Sequence, residues 1–254
     1  MRKLLSLIAL SGLFIFSACE EKTDPSLVSD VDVRFHAQYD GQELKKSTNL
    51  LYENSVPLNF EILTLYISDV FLLKGTEKVK LIDVEYLDFT PTDAQGSSTA
   101  SPAFTYRDIP NGEYTGIQIG FGLRRNLNDK KPSDFAAGHP LARENEYWLG
   151  WNSYIFAKIQ GKADGDKNGS LETGIIYHCG ADGTYTEATF TQPITISDSR
   201  KSLDINIDFK KIFRQADGSM FDILANPITH SNPNNLTVAT AIMQGFPRGT
   251  EIVQ

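Results

Sequence analysis

The sequence is poor in cysteine. Cys19 and Cys179 are its only two, so it can form at most one intrachain disulfide and is no disulfide-stapled scaffold. It also lacks any run of basic residues. With 32 acidic against 24 basic side chains the formal charge is −8, which removes the electrostatic footprint of a nucleic-acid binder. The same balance argues against charge-driven docking on anionic lipid. Beyond the first residues, no stretch approaches the roughly 20 apolar residues of a membrane-spanning helix. Familiar catalytic signatures are missing too. There is no Gly-x-Ser-x-Gly elbow, no phosphate-binding loop, no His-Glu-x-x-His and no paired Cys-x-x-Cys. No catalytic residue is assigned, and the chain reads as a binding protein rather than an enzyme. Acidic pairs are plentiful, but an acidic chain scatters them anyway.

What is present begins at the N-terminus. Arg2 and Lys3 precede the apolar run Leu4–Phe16, and Ser17-Ala18 bring small residues before Cys19. A run this short with basic residues before it and small ones after it is a secretory signal rather than a span. The pattern resembles a bacterial lipoprotein box, which implies a signal peptide at 1–18 and a lipidated Cys19 that anchors the protein to membrane. The expected location is the outer membrane of the cell envelope, with the periplasmic or surface face left open. Cleavage would leave 236 residues carrying −10, and Cys179 unpaired. Residues 19–30, polar and with Pro25, read as a flexible tether.

The rest reads as one domain over 31–254. Val31, Val33, Phe35, Ala37 and Tyr39 alternate with polar residues, the period of a half-buried strand. Leu58–Leu73 is apolar on both parities and reads as one or two central strands. Val79–Phe89, Tyr114–Leu123, Trp151–Gln160, Gly174–Cys179 and Leu203–Phe209 continue the strand pattern. Thr90–Pro102 and Asn126–Pro140 read as loops, and Leu236–Phe246 carries helical spacing. The expectation is all-β, an antiparallel β-sandwich with long loops and a short C-terminal helix.

Three groups of residues invite ligands. The first is the histidines, since imidazole suits copper and zinc. His36 lies on the polar parity of its strand, and His178 ends the apolar strand Ile175–Gly180. His139 and His230 fall in loops and read as loop histidines. On a regular strand His178 and Cys179 point to opposite faces, so both reach one ion only if Gly180 opens a bulge. Cys179 otherwise reads as a small core residue. The second group is Asp164, Asp166, Asn168 and Glu172. Their oxygens and Gly169 match the start of a calcium loop, but Ile175 stands where the closing acid belongs. The third is the aromatic block Tyr147–Phe156, which holds both tryptophans, Trp148 and Trp151.

Several stretches, in this order, resemble MbnP-like proteins, a secreted copper-associated family. They are Asn59-Phe60-Glu61-Ile62 leading to Tyr66-Ile67-Ser68-Asp69-Val70, then Gly120-Phe121-Gly122 with Asn126 and Pro132, then Trp148–Gly161, then Tyr177-His178-Cys179-Gly180. The likeness spans roughly residues 31 to 246. It implies a β-rich fold that holds copper through histidines and a tryptophan oxidised to kynurenine by a partner di-haem enzyme. His178 matches the family's His-x-Gly. The family's Trp-x-Trp is Trp148-x-x-Trp151 here, so either tryptophan could correspond, and no histidine follows them closely. Two readings stand. One is an envelope-anchored copper-binding protein that holds or hands over the ion through His178, His36 and Trp148 or Trp151. The other is a glycan- or protein-binding module with Trp148, Trp151 and Tyr154 as an aromatic platform.

Overall fold

A computed structural model describes residues 27–45, 49–90, 101–197, 200–231 and 234–253. The signal segment, Cys19 and most of the tether lie outside the described residues. The domain begins earlier than the sequence suggests. Val28–Asp30 belong to the first strand, β1 (Val28–Tyr39), and not to a tether, because Val28 and Ser29 pair with Pro110 and Ile109.

Along the chain follow β2 (Gln42–Glu43), β3 (Leu50–Leu51), the long β4 (Pro57–Lys74), β5 (Glu77–Asp88), β6 (Ala103–Pro110) and β7 (Gly112–Phe121). A short helix α1 (Arg125–Asn128) and three 3-10 turns between Pro132 and Glu146 fill the expected loop and the residues that follow it before β8 (Tyr147–Trp148). Then come β9 (Ser153–Ala163), β10 (Thr173–Gly180), β11 (Thr186–Ile196), β12 (Arg200–Asp208) and β13 (Ile228–Thr229). Helices α2 (Thr237–Met243) and α3 (Phe246–Gly249) lead into β14 (Thr250–Val253).

The strands form a sandwich. One sheet has the order β14-β12-β1-β2, with β6 also on β1. The other has the order β11-β7-β4-β9-β10-β13, with β3 and β5 on β4 and β8 on β9. The all-β sandwich expected from the sequence is there, mostly antiparallel, with two parallel pairs built into it. β1 runs parallel to β12, and β10 runs parallel to β13. Each of these pairs is joined by a long stretch of chain, as parallel pairing requires. β4 is one strand and not two. It pairs β9 through Leu58–Leu65, β7 through Ile67–Leu73 and β5 through Thr64–Lys74, so it is buried on both parities. β11 and β6 were not anticipated. Their outer faces are polar, and most of their inner faces are half-buried, with only Ile109, Ile194 and Ile196 in the core, which leaves a weak period of two.

The core lies between the sheets. Phe209, just past β12, meets Phe60 of β4 at 6.1 Å, Phe89 at 6.0 Å and Phe246 of α3 at 6.3 Å between ring centroids. Full burial of such a ring contributes on the order of 1.5–3 kcal/mol each. Cys179 is buried among these residues as a free thiol, and burial pushes its pKa far up. Helix α2 buries Ala239, Ile242 and Met243, the helical spacing read from the sequence.

Candidate functional site

The frame of the site is the β8-β9-β10-β13 end of the larger sheet. In β10, Ile175, Tyr177 and Cys179 turn into the core, so Ile176 and His178 face outward. His178 sits opposite Lys158 of β9. The ladder slips after Cys179, which pairs Ala157, while Gly180 pairs Ile155. This is the bulge that could have brought Cys179 around to His178. It does not, because Cys179 stays fully buried.

β13 supplies what the sequence reading passed over. Ile176 pairs Ile228 and Tyr177 pairs Thr229 in parallel, so the next residue on each strand, His178 and His230, also fall side by side. Their Nδ1 atoms are 3.3 Å apart and their rings 5.0 Å, nearly perpendicular. Ser231 fixes the crossing. Its hydroxyl donates to the His178 carbonyl at 2.9 Å and accepts the Gly180 N–H at 2.6 Å. Ser231 has φ +42, a left-handed value uncommon for a side-chain-bearing residue. By sequence alone His230 is an ordinary loop histidine. No local pattern could have marked it, since its neighbour lies 52 residues away.

Trp148 closes the group. β8 pairs β9 through Trp148 and Ser153, and a tight turn returns the chain so that Trp151 stacks on Trp148 at 4.1 Å. Asn152 takes φ +48 in that turn. The Trp148 ring meets His230 edge-on at 5.3 Å and His178 at 6.2 Å. Trp148, Trp151, His178 and Ser231 line a crevice of about 10 Å³, the size of one water rather than of a sugar. A larger hollow of about 340 Å³ lies elsewhere, along Tyr52–Val56 and Met220–Ala225, and is lined by neither histidine nor cysteine.

The site is built to keep His178 neutral. Burial, then His230, then the Lys158 ammonium lower its pKa from 6.5 to about 4. Lys158 is itself held by Glu146 at 2.9 Å. Ring-proton resonances of His178 are therefore expected to titrate near pH 4, and a midpoint of 6 or above would refute this environment. Because the folded-state pKa is lowered, the unfolded chain takes up a proton between about pH 6.5 and 4 that the folded chain refuses. Stability at this residue is thus expected to fall as pH drops through that window.

The remaining candidates lie elsewhere. His36, expected to share the site with His178, belongs to the other sheet, where its Nε2 hydrogen-bonds Asp204 Oδ1 at 2.7 Å. His139 accepts the Leu141 N–H at 3.1 Å and stacks on Phe135. The calcium expectation at Asp164, Asp166, Asn168 and Glu172 meets a loop closed on itself. Both Asp164 oxygens accept N–H groups of Asn168 and Gly169, and the Asn168 amide bridges Asp166 and Glu172. Among the described residues, no three of His, Cys, Asp or Glu gather as a ligand set. The aromatic platform also fails in geometry. Tyr154 is buried, donating its hydroxyl to the Leu141 carbonyl at 2.7 Å, and the two tryptophans face one another.

Comparison with known proteins follows the same line. The sequence matches the MbnP family over residues 28–233. Among solved structures, MbnP from Methylosinus trichosporium is similar, with a TM-score of 0.50 at 19% identity over 73% of this chain and 77% of that one. At that identity the likeness speaks for the fold. Among curated proteins, none matches this chain.

Proposed function

This chain belongs to the MbnP family, and from that premise we propose that it binds a copper ion between His178 and His230. The observation that carries the reading is the convergence of two imidazole Nδ1 atoms at 3.3 Å under the edge of Trp148. A separation of 3.3 Å lets both nitrogens reach one shared ion at ordinary metal–imidazole distances of ~2.0–2.1 Å. Structural zinc wants four ligands, and among the described residues no thiolate or carboxylate joins the two imidazoles in a ligand set. Imidazole suits copper, so the pair of histidines fits the ion with which the family is associated. Bound there, copper would supply an exchangeable soft cation. His178 holds the inner side and is neutral, so no positive charge on its ring opposes the ion. His230, exposed, gives an acceptor access for ligand exchange, so the reading is capture and hand-over without turnover.

The family resemblance leaves two tryptophans open for oxidation to kynurenine by a partner di-haem enzyme. Trp148 is the one whose ring meets both histidines, and it is our assignment. The Arg2–Cys19 pattern supports attachment at the cell envelope through lipid on Cys19. The test is one preparation from the native host, loaded with copper, freed of loose metal by gel filtration and analysed for copper and by peptide mapping. One copper per chain and kynurenine at position 148 are expected. Copper at background after loading would overturn the binding reading, and two unmodified tryptophans would overturn the assignment of Trp148.

A further inference from the structure

The two ring nitrogens of His178 have separate partners. Nδ1 faces His230, and Nε2 lies 2.5 Å from the side-chain amide of Gln160. The sheet imposes this. His178 is opposite Lys158, and Gln160, two residues along β9 on the same face, is its diagonal neighbour. A neutral imidazole carries one N–H and one bare nitrogen, and the nitrogen that is not a ligand decides which is which.

We propose that Gln160 is the positioning residue that sets the tautomer of His178, so that Nδ1 is its copper-binding atom. This rests on the copper reading above. An amide offers an oxygen acceptor on one side and an NH2 donor on the other, and half a turn exchanges them. Two arrangements are therefore satisfied throughout. Without copper, the His178 proton sits on Nδ1 and is donated to His230 Nδ1, while the Gln160 NH2 donates to the bare Nε2. With copper, the proton sits on Nε2 and is donated to Gln160 Oε1, and both Nδ1 lone pairs point into the gap. In that second state two lone pairs face each other across 3.3 Å, which costs free energy until a cation lies between them. The ring carries one proton in both states: one leaves Nδ1 for solvent and one arrives at Nε2. Ligating histidines commonly donate their other N–H to an acceptor that fixes the ring, and the amide oxygen fills that place. Glutamine suits both states, where a carboxylate would fit only the second and an apolar side chain neither.

Nitrogen-15 NMR of histidine-labelled protein, with and without Cu(I), reads the tautomer directly because Cu(I) is diamagnetic. Expected is a proton on His178 Nδ1 in the metal-free protein and on Nε2 once Cu(I) is bound. Gln160→Glu is expected to keep copper affinity and to hold the Nε2–H form before copper is added. Gln160→Leu is expected to bind Cu(I) ~10–100-fold more weakly, the usual effect of losing such a partner. Copper-loaded wild type with the proton on Nδ1 and the metal on Nε2 would overturn the inference and leave the copper reading standing. Equal affinity and an unchanged tautomer in folded Gln160→Leu would do the same. A wild type that shifts neither histidine with Cu(I) would overturn the copper reading, and this inference with it.

Discussion

His230→Ala is expected to bind Cu(I) at least ~100-fold more weakly than the wild type, beyond what loss of an outer partner costs a metal site. His178→Ala should do the same, and His36→Ala should bind as the wild type does. The contrast follows from placement. Removing either Nδ1 of the facing pair leaves one imidazole, and among the described residues no third histidine, cysteine or carboxylate gathers there to replace it. His36 is in the other sheet and already engaged by Asp204. Competition against a chromogenic Cu(I) chelator measures all three. The fold should survive the His230 change, because exposed substitutions away from special features usually shift stability by no more than ~0.5 kcal/mol. Wild-type affinity in His230→Ala would remove the pair as the site. A loss in His36→Ala alone would move the site to the other sheet.

Gly180→Ala is expected to destabilise the domain by about 1–3 kcal/mol, the range for overpacking a filled interior. A Cβ built there would stand 2.4 Å from the Tyr154 carbonyl oxygen, closer than any carbon tolerates, and both partners are backbone. β9 and β10 would have to part where the ladder slips. In a domain of this size each kcal/mol lowers Tm by roughly 2–4 °C, so thermal denaturation resolves it. Copper affinity should fall with it, since Gly180 N–H and the His178 carbonyl are the two points at which Ser231 holds the His230 strand. Gly174→Ala, six residues earlier on β10 with nothing within 4 Å of the added carbon, is the control expected to be near neutral. Equal Tm values for the two variants would show that the crossing tolerates a wider gap than the geometry allows.

Much of the frame could be read from the sequence. The period of two in Val31–Tyr39 marked β1 and its buried face, and the apolar run Leu58–Leu73 marked a central strand. The spacing of Ala239, Ile242 and Met243 marked the helix near the C-terminus, while Phe246 opens a separate short helix. Other elements gave weaker local signals. β6 and β11 carry polar residues on one face and stay partly exposed on the other, so their patterns resemble loop composition. The two parallel pairings were invisible, because local alternation says which face a strand buries and nothing about its neighbour.

The same division holds at the site. The sequence by itself placed Cys179 and His178 on opposite faces of a regular strand, because adjacent strand residues alternate, and the structure decided that Cys179 is the one turned inward. The sequence also determined that Trp148 and Trp151 lie within one short turn of each other. Tertiary structure alone decided that His230 joins His178, that His36 does not, and that Trp148 is the tryptophan against the pair. Side-chain direction is a local, period-two property of the backbone. Which strands lie next to each other is settled by how the whole apolar surface is buried, and no stretch of residues around position 230 records that outcome.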